Sequence, residues 1–201
     1  MDTFEAIYAR RAVKQFDPAH RLTKDEETKL LEAAIQAPTS FNIQHWRFVV
    51  VRDPELRMKI RKEFGNDQPQ MTDASLLVIV TGDVQAWRKE PQRYWQHAPA
   101  DVAKMLVDWI GPFHEGREWL QRDEAQRSIG MAMQTLMLAA KAMGYDSCPM
   151  IGFDIDKVAE LIRLPEDHVM GPMVAIGKGT KQAWPKPGQL PLADLVVENG
   201  F

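Results

Sequence analysis

Ile129-Gly130-Met131-Ala132-Met133-Gln134-Thr135-Leu136-Met137-Leu138-Ala139-Ala140 is apolar almost all the way round a helix. A helix without a polar face has to be enclosed on every side. The helical pattern that contains it runs from Arg122 to Met143 and stops at Gly144, a natural C′ residue. A chain of 201 residues rarely encloses such a helix unaided, so a subunit interface competes with a purely intramolecular central position. The interface is the more economical reading, and it places Leu136 and Met137 at the centre of a dimer.

Working outward, Ser75-Leu76-Leu77-Val78-Ile79-Val80-Thr81 is a continuous apolar run bounded by Gly82, as expected of a strand covered on both faces. Met173 to Gly177 is a second such run, and Trp46 to Val51 a third. Thr23-Lys24-Asp25-Glu26 reads as a capping box that opens a helix over about 23 to 37, with Leu30, Leu31, Ala34 and Ile35 at helical spacing and Pro38 as its stop. Pro54 to Phe64 also reads as helix. Helices and strands do not alternate strictly enough for a doubly wound sheet, so the expectation is α+β, in one domain over residues 1–201.

Two stretches leave this pattern. Residues 83–121 mix Trp87, Tyr94, Trp95, Trp109, Phe113 and Trp119 with charges and prolines, which suggests an excursion from the core, where function often sits. Residues 180–201 carry prolines at 185, 187 and 191 and read as an extended arm over a surface.

Bulk properties narrow the function. Lys and Arg number 25 against 28 Asp and Glu, a net charge of -3 that gives no overall reason to expect nucleic acid or an anionic membrane. A phosphate-bearing ligand therefore needs a local cluster. Cys148 is the single cysteine, so neither a disulfide within the chain nor a cysteine metal cage is available, and a cytoplasmic setting fits. The N-terminus lacks a signal-peptide pattern, and no run reaches the ~18 apolar residues of a membrane span. His20, His45, His97, His114 and His168 are dispersed without metal-like spacing, so no metal is expected.

Four segments are candidates for chemistry. Arg10-Arg11-Ala12-Val13-Lys14 gathers three cations after a short N-terminal helix; guanidinium forks match phosphate oxygens, and an extended segment lets Lys14 join them. A solvated face is the plain alternative. Ala37-Pro38-Thr39-Ser40-Phe41-Asn42-Ile43-Gln44-His45-Trp46 sets donors and acceptors in a dense row suited to the edge of a flat heterocycle, or to an ordinary turn capping its own backbone. Cys148-Pro149-Met150-Ile151-Gly152 reads as a tight apolar turn before a helix capped by Asp154, able to approach a ring closely. Gly177-Lys178-Gly179 follows a strand but lacks the spacing of a dinucleotide fingerprint or a P-loop.

In order and spacing these segments resemble the flavin reductases of the nitroreductase family, over nearly the whole chain. The resemblance implies a mainly antiparallel central sheet flanked by helices, and an intertwined homodimer with two interface sites for FMN. Carried over by position, Arg10, Arg11, Ala12 and Lys14 correspond to the segment holding the FMN phosphate and pyrimidine edge. Many relatives have Ser in place of Ala12, so only its backbone contributes. Thr39, Ser40, Asn42 and Gln44 match the ribityl and ring loop. Pro149, Met150, Ile151 and Gly152 are similar to the segment on the flavin face, with the Ile151 amide near the reactive nitrogen. Some relatives have a carboxylate in place of Ile151, and relatives commonly have Arg near Gln189, so here phosphate binding is expected to rest on Lys178 or Lys186 together with the first cluster.

The implied activity is ping-pong transfer of hydride from NADH or NADPH to a small electrophile such as a nitroaromatic, quinone or activated alkene. Trp109 and Phe113 are expected to line the acceptor pocket, and no side chain is assigned as catalytic. Other flavin reactions on the same fold, such as flavin destruction or reductive dehalogenation, and a non-catalytic FMN store are the alternatives.

Overall fold

Every residue from Leu76 to Asp83 is buried, and this strand forms the centre of the molecule. The computed structural model describes residues 1–201. In chain order the helices are α1 (Thr3–Ala9), α2 (Lys24–Ala34), α3 (Pro54–Lys59), α4 (Gln70–Asp73), α5 (Ala100–His114), α6 (Glu118–Ala142) and α7 (Ile155–Leu161), and the strands β1 (Trp46–Val50), β2 (Leu76–Asp83), β3 (Asp146–Met150) and β4 (His168–Gly177). The strands form one sheet in the order β1-β2-β4-β3, antiparallel throughout. The expected α+β class with an antiparallel sheet is what the chain adopts.

Alternation along β2 divides the interior. Leu76, Val78 and Val80 face α6 and α2, packing with Leu30, Ala34, Ala132, Leu136 and Ala140. Leu77 and Ile79 face the other layer, with Ile60, Met71, Val158 and the N-terminal Val13 and Phe16. Contact between α6 and the sheet is close: a Cβ on Gly171 of β4 would lie 2.5 Å from the Val80 carbonyl and 2.6 Å from Ile129 Cγ2.

Leu136 and Met137 therefore belong to the chain's own core, 0% and 3% exposed, rather than to an open face awaiting a partner. The uncovered side of α6 carries Arg127, Met131 and Gln134, and α1, beside it, leaves Phe4 and Tyr8 exposed. Because the sequence is apolar all round, it could not tell which side the sheet takes.

Helix signals were reliable where a cap marks them. Thr23 and Glu26 form the capping box of α2, Asp154 accepts from the Lys157 amide at the start of α7, and Gly144 follows α6 with φ of 83°. The start of α6 lies at Glu118, four residues before the expected Arg122, since Arg117 offers no side-chain cap.

Two readings need correction. Cys148-Pro149-Met150 is part of an edge strand, with Pro149 opposite Val174, and not a turn. Proline suits an edge strand, where its missing N–H costs no ladder bond. Of the 83–121 excursion, Asp83 closes β2 and residues 118–121 open α6; the part between lies outside the sheet and is mostly helical, α5 packing with Ala86, Trp87 and Tyr94 around Ile43 in a small core of its own.

Residues 180–201 form no strand and, apart from Ala183, are exposed, including Trp184, Leu190, Leu192 and Leu195. No helix is long and apolar enough to cross a membrane.

Candidate functional site

The cation segment lies along the outer edge of β3. The Val13 amide donates to the Ser147 carbonyl at 3.0 Å, and Ala12 bridges Ser147 in parallel. Further on, Asp17 N donates to the Lys178 carbonyl at 2.8 Å and Thr180 N to the Gln15 carbonyl at 3.0 Å. These bonds bring residues 10–17 against the end of β4 and the start of the tail.

Between segment and tail is a groove of about 410 Å³ lined by Arg11, Lys14, Lys181 and Lys186, with Trp184 as its largest apolar wall and no carboxylate among its lining residues. Arg10, Arg11, Lys14, Lys178, Lys181 and Lys186 make no ion pair within the chain; by contrast Lys141 nearby is paired with Asp146 at 3.0 Å. Four like charges around one groove repel each other, and a bound anion relieves that repulsion. The Arg11 guanidinium also donates to the Tyr8 carbonyl at 2.6 Å and the Arg10 carbonyl at 2.8 Å, which steadies the end of α1. Residues 10–14 and 178–186 thus fit a phosphate monoester.

β3 leads on into Ile151 and Gly152. Met150 is 5% exposed and packs in the core, so its side chain is not offered to a ligand, whereas Ile151 is 70% exposed. Gly152 is held by its carbonyl, which accepts from Asn66 Nδ2 at 3.0 Å and Gln68 Nε2 at 2.9 Å. Gln70 Nε2 in turn donates to Gln68 Oε1 at 2.9 Å and faces Cys148 Sγ at 3.9 Å. This amide chain from 66 to 70 was invisible in the sequence, because three polar residues in a loop have no diagnostic spacing. Burial pushes the Cys148 thiol pKa up, against smaller opposing effects of Lys14 and Gln70.

The second group of expected residues sits elsewhere. Thr39, Ser40, Asn42 and Gln44 precede β1, the opposite edge strand. Three interstrand spacings, roughly 14 Å, separate the two edges. Thr39 Oγ1 accepts from the Gln44 amide at 3.0 Å, and Asn42 Nδ2 donates to the Tyr94 carbonyl at 2.8 Å. Gln44 Nε2 donates to the Asn42 carbonyl at 3.2 Å and borders a cavity of about 500 Å³ shared with Trp46, Arg47 and Arg93. The loop is backed by the excursion: the Phe113 ring meets Phe41 at 5.2 Å, and Trp109, 55% exposed, lies one turn earlier on α5.

One chain therefore gathers Arg10, Arg11, Ala12, Lys14, Pro149 to Gly152, Lys178 and Lys186 at one sheet edge, and Thr39 to Gln44, Trp109 and Phe113 at the other. Asp83, Asp167 and His168 also converge, but Lys89 already bridges the two carboxylates at 2.8 and 2.6 Å, which makes this an ion-pair network.

The chain matches the family model described as the Nitroreductase family over residues 7–178. It is 66% identical over 201 residues to Protein DrgA of Synechocystis sp., covering 98% of this chain and 95% of that protein. It is 30% identical over 196 residues to the CLA biosynthesis enone reductase of Lactiplantibacillus plantarum, covering 90% and 87% respectively. Among solved structures it is similar to a protein of Exiguobacterium sibiricum designated a nitroreductase and solved in complex with FMN. That likeness has a TM-score of 0.90 at 28% identity over 98% of this chain and 97% of the other. With motifs, sheet and family match in agreement, the chain belongs to the nitroreductase family.

Proposed function

We propose that this protein is an FMN-dependent oxidoreductase that carries hydride from NADH or NADPH to a small electrophilic acceptor by ping-pong exchange, and that it works as a homodimer. The observation that carries this reading is the acid-free groove of Arg11, Lys14, Lys181 and Lys186, beside the strand that ends in the exposed Ile151. Bound there, FMN would supply the two-electron hydride chemistry.

The residues of the chain supply position. Arg11, Lys14, Lys181 and Lys186 hold the phosphate, Lys178 and Arg10 adding to the local field. Ala12 contributes through its backbone. The Ile151 amide finds no acceptor within the chain and is free to donate to the ring, while Pro149 and the clamped Gly152 keep that strand end flat. Thr39, Ser40, Asn42 and Gln44 reach the same flavin from the partner, since within one chain the sheet stands between the two groups. Met131 of α6 with Phe4 and Tyr8 of α1 form the apolar surface across which the copies meet, and residues 180–201 reach over it as an arm. Trp109 and Phe113 wall the acceptor slot. We read residues 1–201 as one FMN-binding domain with a cytoplasmic location. Nitroaromatics, quinones and activated alkenes are the acceptor classes; the enone reductase among the relatives favours including the last.

The test is reconstitution with FMN followed by oxidation of NADH and NADPH with each acceptor class. Acceptor-dependent turnover by a yellow dimer is expected. A yellow protein without turnover would reduce the reading to flavin storage, and a protein that takes up no FMN would overturn it.

A further inference from the structure

The loop before β1 is held in a shape its residues disfavour. Phe41, Asn42 and Gln44 have φ of 50°, 54° and 54°, in the left-handed region. Such strain persists only where the surroundings over-determine it. Asn42 and Thr39 supply two anchors, described above. The third is His45, wholly buried, whose Nδ1 lies 3.0 Å from Ser128 Oγ on α6.

That contact sets which nitrogen of the neutral His45 ring carries the proton. The Ser128 hydroxyl donates to the Glu124 carbonyl at 2.8 Å. A hydroxyl has one hydrogen, so toward His45 its oxygen accepts, and His45 carries its proton on Nδ1. Nε2 is then a bare lone pair, buried and without a partner. From the excursion, His114 Nδ1 lies 2.8 Å from the Ile110 carbonyl, which only accepts, so His114 is protonated on Nδ1 as well and its Nε2 is also buried and bare. The His114 ring stacks on Trp87 at 5.7 Å and meets Phe41 edge-on at 5.9 Å.

We propose that His45, seated on Ser128 as the neutral Nδ1–H tautomer while His114 bears on Phe41, is the positioning residue that sets the 39–44 loop in its cofactor-binding shape. This rests on reading the loop as part of the FMN site. Neither imidazole touches reacting atoms. A second proton on either ring would put an N–H where no acceptor stands, so the loop keeps its shape only while both are neutral. The charged and titratable groups that act on His45 are Asp83 of β2, Arg47 of β1 and His114; those acting on His114 are Glu124 of α6 and Arg117.

The experiment compares Ser128→Ala, His45→Phe and His45→Asn with the wild type by FMN titration, and follows amide hydrogen exchange of residues 39–45 in the FMN-free protein. Ser128→Ala and His45→Phe are expected to raise the FMN Kd about tenfold, with faster exchange in the loop. His45→Asn, whose amide N–H stands near the Nδ1 position, is expected to recover most of the affinity. Wild-type affinity should fall on acidification toward pH 4, and His45→Phe should lose the part of that dependence due to His45, leaving only the smaller part due to His114. Unchanged Kd and unchanged exchange in Ser128→Ala would overturn the proposal, as would equal losses in His45→Phe and His45→Asn. A wild-type protein that binds no FMN would defeat the functional reading instead, and the exchange data would still decide whether the strut holds the loop.

Discussion

The Phe113 ring of α5 packs against the Phe41 ring, centroids 5.2 Å apart and planes inclined at 53°. The excursion thus touches the loop assigned to the flavin through a half-exposed aromatic pair. Met105, Trp109 and Phe113 follow one another at four-residue intervals on the exposed side of α5, and this strip is the wall proposed for an incoming acceptor. Phe113→Ala is expected to raise KM for aromatic acceptors roughly three- to tenfold, the equivalent of one aromatic contact of about 0.5–1.5 kcal/mol. FMN affinity should change less. If FMN binding weakens and acceptor KM stays constant, Phe113 braces the loop and does not wall the slot.

The two faces of α6 give separable outcomes. Leu136 is wholly enclosed against β2 and β4, so Leu136→Ala should cost about 2–5 kcal/mol of stability with the dimer intact at low temperature. Met131 points away from the sheet and is 37% exposed. Met131→Asp should leave the melting of a monomer little altered but release flavin together with the dimer, because a charge at an apolar interface loses its hydration. Sedimentation and flavin absorbance measured on the same samples check this. A soluble Met131→Asp monomer that retains FMN would contradict the shared site.

Acid stability follows from His45. Burial first, then His114, hold its pKa at about 4 against an ordinary 6.5. The folded state therefore stays neutral while the unfolded chain takes up a proton below pH 6.5, and stability falls as pH drops from 6.5 toward 4. The loss approaches roughly 3 kcal/mol at the lower end. Asp167 acts in a different window: Lys89, then His168, hold it at about 2, so its contribution is lost only below the ordinary carboxylate range. Urea midpoints at pH 7, 5.5 and 4.5 test the first window, and His45→Asn should flatten the slope there. An equal slope in that variant would assign the acid loss to other groups.

The legible parts of the sequence were those in which one local interaction determines the outcome. Thr23 with Glu26, Asp154 and Gly144 mark helix ends through hydrogen bonds a few residues long, and the run from Leu76 to Val80 has only one stable environment. Parts decided by distant partners were not legible. Asp146, Ser147 and Pro149 are poor strand formers, and they become a strand because the edge of β4 is free to pair. Asn66, Gln68 and Gln70 gain meaning only against Gly152 and Cys148, some 80 residues away. Lys181 joins Arg11 and Lys14 because the tail folds back over residues 10–17, so a cluster that looks like three cations in sequence is a larger field in space. The resemblance picked out two groups of residues, and the sheet order explains why one chain keeps them apart.

Cys148 provides the sharpest check of the proposal that positioning, and not an acid, base or nucleophile, is what this protein adds to the flavin. The side chain is 3% exposed, and burial raises its pKa, so at neutral pH it is a thiol with little access to solvent. A thiol in that state is a poor nucleophile and a poor proton donor. Its neighbours are Gln70 and the Pro149 carbonyl, with no base in contact to activate it. Hydride transfer asks instead for two flat partners held face to face, with an amide aimed at the ring and water kept out. Cys148→Ala, fully reconstituted with FMN, should therefore reduce and reoxidise within about tenfold of the wild-type rate, against the ~10²–10⁴ lost with a positioned acid or base. Slow alkylation of the native protein by iodoacetamide should accompany this. Stopped-flow traces of both half-reactions decide it: a thousandfold defect in either, at normal flavin occupancy, would show that Cys148 takes part in the chemistry.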